Sequence, residues 1–314
     1  MKIGIIGIGF VGQLHSKVME MIGSNIEYYV YDVTKYAAQE FAKNHKCHAL
    51  NTLEETYDNT DAVIIATPTF THYDLVMEAI QKGKHVLCEK PMSLRVEEAE
   101  KMFLEANRRN LTCAIGFNYR FFEITEILQK TNQIGKICNI DIAIKRLFRN
   151  DWHNKENGVL ADLGIHLIDY IMYLCGEKID LSSCKVNRKY INGWDYDSTV
   201  CGKTEGKVSF RLTAARTKIP DEVQFGFKIT GTTGSFIYDS RQETSYVIEK
   251  NSRKVAYNFD KTEKTEGFFD FTDSILRQDK AWINTISGEN AKEIATFEDG
   301  FYAQRALDAF LSKK

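Results

Sequence analysis

Through roughly the first 118 residues, short apolar runs alternate with segments of helical period. KIGIIGI is followed by VGQLHSKVMEMIG, IEYYVYD by KYAAQEFAKN, DAVIIAT by HYDLVMEAIQKG, and HVLCEK by VEEAEKMFLEANRRN, before LTCAIGF closes the series. Strands that are apolar on both faces and separated by helices are what a parallel sheet covered on both sides requires. The pattern predicts a doubly wound α/β domain over residues 1–118. After that the texture changes. A helical stretch near 120–132 and an apolar helix through NGVLADLGIHLIDYIMYLCG, ending at Gly176, are followed by strand-like runs such as KVSFRLTAAR and VQFGFKITGTTGSFIYDS. In the last of these GTTG reads as a hairpin turn. Two helical segments, near 268–287 and 298–312, end the chain, so residues 119–314 read as an α+β domain with a mostly antiparallel sheet.

One helix breaks its own pattern. Within ADLGIHLIDY, Asp162, His166 and Asp169 fall at i, i+4 and i+7, so a helix carries all three titratable groups on one face, among Leu, Ile and Met. A second departure lies at the start. GIGFVG supplies Gly7, Gly9 and Gly12 in G-x-G-x-x-G spacing, directly after a strand and opening a helix. The three glycines serve a tight turn, a close backbone approach to a pyrophosphate, and close helix–strand packing, with Ile8, Phe10 and Val11 completing the loop. Asp32 ends the second strand 20 residues after Gly12, where a carboxylate accepts hydrogen bonds from an adenosine ribose. The same charge repels the 2′-phosphate of NADP, and VTK after it offers no Arg, only Lys35. NAD is therefore favoured over NADP.

Composition narrows the function classes. The 314 residues are 43% hydrophobic and 27% charged, and 41 Lys+Arg against 43 Asp+Glu are interspersed, which fits a soluble protein of about two domains and calls for neither nucleic acid nor an anionic membrane. The seven cysteines are widely spaced without a C-x-x-C, the usage of a reducing compartment. MKIGIIGIGFVG imitates a signal peptide poorly, being short, glycine-rich and followed by an amphipathic segment; a cytoplasmic protein is expected. HKCH at residues 45–48 matches no usual zinc spacing and reads as a solvated turn, so no metal is expected.

The segment ATPTFTHYDLVMEAIQKGKHVLCEKPMS sets Thr67, Pro68 and His72 after one strand and Glu89, Lys90 and Pro91 after the next. T-P-x-x-x-H, E-K-P and D-x-G-x-H in that order, together with the glycine motif, NYRF and KITGTTGSF, resemble the glucose-fructose oxidoreductase, inositol dehydrogenase and MocA (Gfo/Idh/MocA) family along the whole chain. The resemblance implies an N-terminal Rossmann domain holding a nicotinamide cofactor. It also implies a C-terminal domain whose large, open, mostly antiparallel sheet often serves as an oligomer interface, hence a homo-oligomer, dimer or tetramer. It implies oxidation or reduction of a secondary hydroxyl on a sugar, cyclitol or related polyol, free or linked to phosphate or nucleotide. Lys90, Asp162 and His166 are then the catalytic residues around the nicotinamide, and Thr67, Pro68, His72, Glu89 and Lys90 adjoin the cofactor. Two other classes are open: a cofactor-retaining glycosidase on the same fold, and a dinucleotide-sensing regulator without catalysis. The chain departs from many relatives in keeping only Gly158 before the D-x-G-x-H helix and in lacking a proline after NYRF.

The remaining residues have bland readings beside sharp ones. His15 and His72 serve as packing or capping histidines, with cofactor contact as the alternative. Asp169 is read as satisfying backbone or side-chain donors at the domain junction, outside the chemistry. Tyr119 and Arg120 near residue 118, and Arg149, Asp151, Trp152 and His153 in the loop before the polar-striped helix, offer the polar forks and aromatic platform that a sugar ring needs. With the catalytic trio they form the expected substrate set. An X-Pro bond at such a ligand-facing turn is where a cis peptide is retained, so the bond before Pro91 is expected cis.

Overall fold

The computed structural model describes residues 1–23, 26–148, 158–242, 245–258, 271–289 and 291–313. The chain forms two compact units, Met1–Phe121 with Phe271–Gln304, and Phe122–Asp270 with Arg305–Lys314. The first unit is built on β1 (Lys2–Ile6), β2 (Glu27–Tyr31), β3 (His48–Ala49), β4 (Ala62–Ile65), β5 (His85–Cys88) and β6 (Cys113–Ile115). They lie in the order β3-β2-β1-β4-β5-β6, and every neighbouring pair is parallel. Between them run α1 (Phe10–Ile22), α2 (Lys35–Asn44), α3 (Leu53–Asn59), α4 (His72–Gln81) and α5 (Val96–Arg108). Ile3, Ile5, Val63, Ile64, Val86 and Leu87 are completely buried, the two-faced burial that their unbroken apolar runs require.

The second unit holds α6 (Glu123–Lys130), β7 (Ile137–Leu147), α7 (Ile165–Cys175), β8 (Ile179–Ile191), β9 (Trp194–Thr204), β10 (Ser209–Thr217), β11 (Gln224–Gly231), β12 (Ser235–Asp239), β13 (Ser245–Lys250) and β14 (Arg253–Asn258). Its eight strands are ordered β14-β13-β12-β11-β7-β10-β9-β8. All neighbours are antiparallel except β7 and β10. The Gly231 N–H donates to the Gly234 carbonyl at 2.8 Å, closing the GTTG hairpin between β11 and β12. Ile140, Ile142 and Ile144, Phe210, Leu212 and Ala214, and Phe225, Phe227 and Ile229 alternate onto one buried face. There Tyr170 of α7 meets Phe225 edge-on, with centroids 6.3 Å apart.

The last two helices are α8 (Phe271–Ile286) and α9 (Phe297–Ser312). The sequence pattern predicts that everything beyond residue 118 belongs to the second domain. By packing, α8 sits with the first unit: it carries the fully buried Trp282, whose indole N–H donates to the Thr112 carbonyl at 3.4 Å. Among the described residues no helix is long and apolar enough to cross a membrane.

Candidate active site

The first sheet reverses its winding at β1, whose neighbours are β2 and β4, and the carboxyl ends of strands at such a switch point form the ligand crevice of open α/β sheets. Gly7 leaves β1 at φ +93°, a conformation glycine adopts without strain, and its N–H donates to the Tyr31 carbonyl at 2.8 Å. A Cβ on Gly12 would run into the Gly7 carbonyl oxygen, whereas one on Gly9 would meet nothing within 4 Å. One glycine is thus required by helix–strand packing, and the other leaves open space at the N-terminus of α1. That helix has no acidic residue in its first turn, so its positive end is available to a pyrophosphate. Ile8 is buried and Phe10 exposed, with Val11 between these extremes.

Asp32 lies just beyond β2. Its carboxylate accepts the Ile8 N–H at 3.0 Å and the Thr34 N–H at 2.8 Å, so it is fixed beside the glycine loop. Each carboxylate oxygen keeps a further lone pair for a ribose hydroxyl. The loop and Asp32 together fit an adenosine diphosphate moiety.

The turns after β4 and β5 are tied to one another. The Thr71 hydroxyl donates to Thr67 Oγ1 at 2.7 Å. The buried His72 faces the Thr67 carbonyl through Nε2 and the Pro91 carbonyl through Nδ1, both at 2.9 Å. Burial pushes the His72 pKa down, against the pull of those carbonyls. The Lys90–Pro91 peptide is cis. The Glu89 N–H donates to the Ile65 carbonyl at 2.9 Å, and the Glu89 carboxylate accepts the Lys90 N–H at 3.2 Å and lies 3.3 Å from Nε2 of His15. His15 is completely buried, and its Nδ1 is 2.7 Å from the equally buried Asp279 of α8. Burial alone would lower the His15 pKa, but attraction and hydrogen bonding to Asp279, then to Glu89, outweigh it and raise it to about 10.

In the second unit the polar stripe begins on a π-helical turn, Leu160–Gly164, that runs into α7. The sequence spacing predicts a single α-helix here. The observed π turn is a wider coil of a kind frequent at functional sites. Its start is fixed by the buried Asp195, whose Oδ2 accepts the Leu160 N–H at 3.0 Å; any Cβ on Gly158 would overlap that carboxylate. Asp162 on the π turn is paired with the Arg216 guanidinium, which also donates to the Leu147 carbonyl at 3.0 Å. His166 is 5% exposed and Asp169 is completely buried.

Tyr119 and Arg120 are buried in a short 3-10 turn, Asn118–Phe121. The Arg120 guanidinium donates to the Ile294 carbonyl at 3.4 Å and lies 3.4 Å from Asp299. Arg149, Asp151, Trp152 and His153 lie outside the described residues. In the 45–48 turn, His45 stacks on Phe41, with centroids 3.9 Å apart, and its Nδ1 is 3.1 Å from Glu20.

Sequence reasoning overlooked Arg216 and Asp279, although each left a signal. Arg216 falls in register with the inward Phe210, Leu212 and Ala214 of β10, a cation where period two calls for an apolar residue. Asp279 falls in the buried stripe of α8 with Ile275, Trp282 and Ile283.

Comparison with known proteins bears on the fold and the family. Residues 1–117 match the family model for the NAD-binding Rossmann fold of the Gfo/Idh/MocA oxidoreductases, and residues 129–314 match its C-terminal alpha/beta domain. The chain is 29% identical to glucose-6-phosphate 3-dehydrogenase of Bacillus subtilis, over 99% of this chain and 96% of that protein. It is 26% identical to myo-inositol 2-dehydrogenase of Thermotoga maritima, over 100% and 98%. The solved structure of UDP-N-acetylglucosamine 3-dehydrogenase from Acidithiobacillus ferrooxidans superposes with a TM-score of 0.84 at 23% identity, covering 100% of this chain and 96% of that one. The chain belongs to the Gfo/Idh/MocA family of NAD-binding oxidoreductases.

Proposed function

We propose that this oxidoreductase transfers a hydride between NAD and a secondary hydroxyl of a sugar, cyclitol or related polyol. The observation that carries the reading is a pair of features on one carboxyl edge of the parallel sheet. The open glycine loop follows β1 and the Glu89–Lys90–Pro91 turn follows β5, two places away in the strand order. The glucose-6-phosphate 3-dehydrogenase and the myo-inositol 2-dehydrogenase, both named for one ring position, support a ring hydroxyl as the reacting group.

NAD, when bound, supplies the hydride acceptor. The chain's own part is to orient the alcohol and move one proton. His166 is the general acid/base, since an imidazole ordinarily titrates in the neutral range and a lysine does not. Asp162, already paired with Arg216, orients the substrate and the imidazole rather than taking the proton itself. Lys90 brings a positive charge to the developing alkoxide. The reverse split, with Lys90 as base and His166 as positioner, is the alternative. Residues 1–118 hold the cofactor in this reading, and residues 119–314 bind substrate. A homo-oligomer formed through the open eight-stranded sheet is part of this reading through the family resemblance. Seven free cysteines support a cytoplasmic site of action.

The test mixes the protein and NAD with myo-inositol, glucose 6-phosphate and UDP-N-acetylglucosamine, and follows NADH absorbance. Steady NADH formation with one of them is expected; no reduction with any rejects the reading. With the substrate so selected, His166→Ala and Lys90→Ala should each lower kcat by about 100-fold or more while NAD binding stays near wild type. Near-normal turnover in His166→Ala removes the acid/base assignment, and in both variants removes the site.

A further inference from the structure

We propose that Asp279, His15 and Glu89 form a buried positioning chain that fixes the Glu89–Lys90–Pro91 turn, so that α8 contributes to hydride transfer without touching substrate. The inference rests on the reading above that Lys90 acts at the reacting hydroxyl.

Three separate elements supply the chain: Asp279 from α8, His15 from α1 and Glu89 from the end of β5. The contacts run from Asp279 Oδ2 to His15 Nδ1 at 2.7 Å, from His15 Nε2 to Glu89 Oε1 at 3.3 Å, and from Glu89 Oε2 to the Lys90 N–H at 3.2 Å. His15 and Asp279 have completely buried side chains and that of Glu89 is 13% exposed. With both ring nitrogens facing carboxylates, the imidazole must donate twice, which only its protonated form can do. The raised His15 pKa agrees with this.

Apolar side chains of similar volume would fill this space at least as stably, because burying charges costs more desolvation than simple packing needs. What the ionic chain adds is direction. It ends on a backbone amide, that of Lys90. Opposite Glu89, Gly116 leaves room that any Cβ would take from the carboxylate. On the far side of the turn, His72 Nδ1 lies 2.9 Å from the Pro91 carbonyl. The peptide that carries Lys90 is therefore gripped from both ends, and His15 is the member that passes the position of α8 to it.

The test compares Asp279→Asn, Glu89→Gln and Lys90→Ala in the full chain. Asp279→Asn keeps the shape and removes one charge; Glu89→Gln does the same at the partly exposed end, should the buried variant fail to fold. Two readouts separate positioning from mere stability. In the protein without cofactor, Lys90 is labelled with limiting acetic anhydride and its peptide quantified by mass spectrometry. With NAD and the substrate selected above, kcat, KM and the NAD Kd are measured. Expected is an altered Lys90 labelling rate, with kcat lowered about tenfold or more and KM and Kd within about twofold, the pattern of a misplaced catalytic group. Unchanged labelling and kcat in a folded Asp279→Asn or Glu89→Gln, beside an inactive Lys90→Ala, overturns the positioning chain alone. Normal turnover in Lys90→Ala overturns the reading of the site, and the labelling then still decides whether the chain sets the turn.

Discussion

Arg216 on β10 and Asp162 on the π turn form an ion pair in which the guanidinium is 5% exposed and the carboxylate 21%. The same guanidinium holds the Leu147 carbonyl, so two strands and the head of α7 converge on one planar cation. Lysine is a point charge and cannot span both acceptors. Arg216→Lys should therefore lower kcat about tenfold or more through a misaligned Asp162, with NAD affinity unchanged. Arg216→Met takes the guanidinium away from the carboxylate and should also cost up to about 3 kcal/mol of stability. Kinetics beside urea unfolding checks both; wild-type kcat in Arg216→Lys means the pair is structural only.

The glycine loop makes a paired prediction. Gly9 has φ −71° and open space at its missing Cβ, while Gly12 is shut in by the Gly7 carbonyl. Gly9→Ala should fold with wild-type stability and, if the cofactor takes that space as proposed, lose NAD affinity. Gly12→Ala should lose both, with overpacking costing about 1–3 kcal/mol. Thermal melting and NAD titration separate the two; equal losses of stability show that Gly9 also serves packing.

Those glycines were legible in the sequence because their reasons are local: a strand, a turn and a helix follow one another along the chain. So were the parallel sheet, from runs apolar on both faces, and the GTTG hairpin. Contacts made at long range were not. His15 reads as a packing histidine because its partners lie 74 and 264 residues away. Arg216 meets Asp162 across 54 residues. A titratable residue inside an apolar stripe announces that a partner exists, but only the folded chain supplies it. The π turn was hidden for another reason, since it depends on which backbone amides bond, and residue spacing alone does not report that.

His15 makes stability depend on pH with a definite sign. Its pKa rises from the ordinary 6.5 to about 10 in the folded chain, so the native state holds a proton that the unfolded state gives up. The contribution is complete below about pH 6.5 and is lost as pH climbs through about 10. Asp279, raised by burial against the pull of His15, acts with the same sign in the acid range. The buried His72, lowered by burial, acts oppositely, losing stability as pH falls through the range near 6.5. The His15 contribution to the melting temperature should fall between about pH 6.5 and pH 10. By NMR the His15 ring should stay protonated through neutral pH, and a His15 resonance titrating near 6.5 contradicts the ionic chain.

In the proposed reading Asp32 sets cofactor choice by charge and by bracing, and the two can be told apart. Its carboxylate repels a 2′-phosphate, and it also holds the Ile8 and Thr34 amides. Asp32→Ser removes the charge, so the NADP-to-NAD preference should shift by about tenfold or more, roughly 1.4 kcal/mol. It also frees the loop, so NAD affinity should fall in absolute terms. The exposed Lys35, first residue of α2, then becomes the nearest cation in sequence to position 32. Adding Lys35→Ala should cancel part of the NADP gain without further change in NAD binding. Fluorescence titration of both dinucleotides against the three proteins reads each effect. An unchanged preference in Asp32→Ser shows that the loop backbone sets the choice, and a wild type that already prefers NADP refutes the role of Asp32.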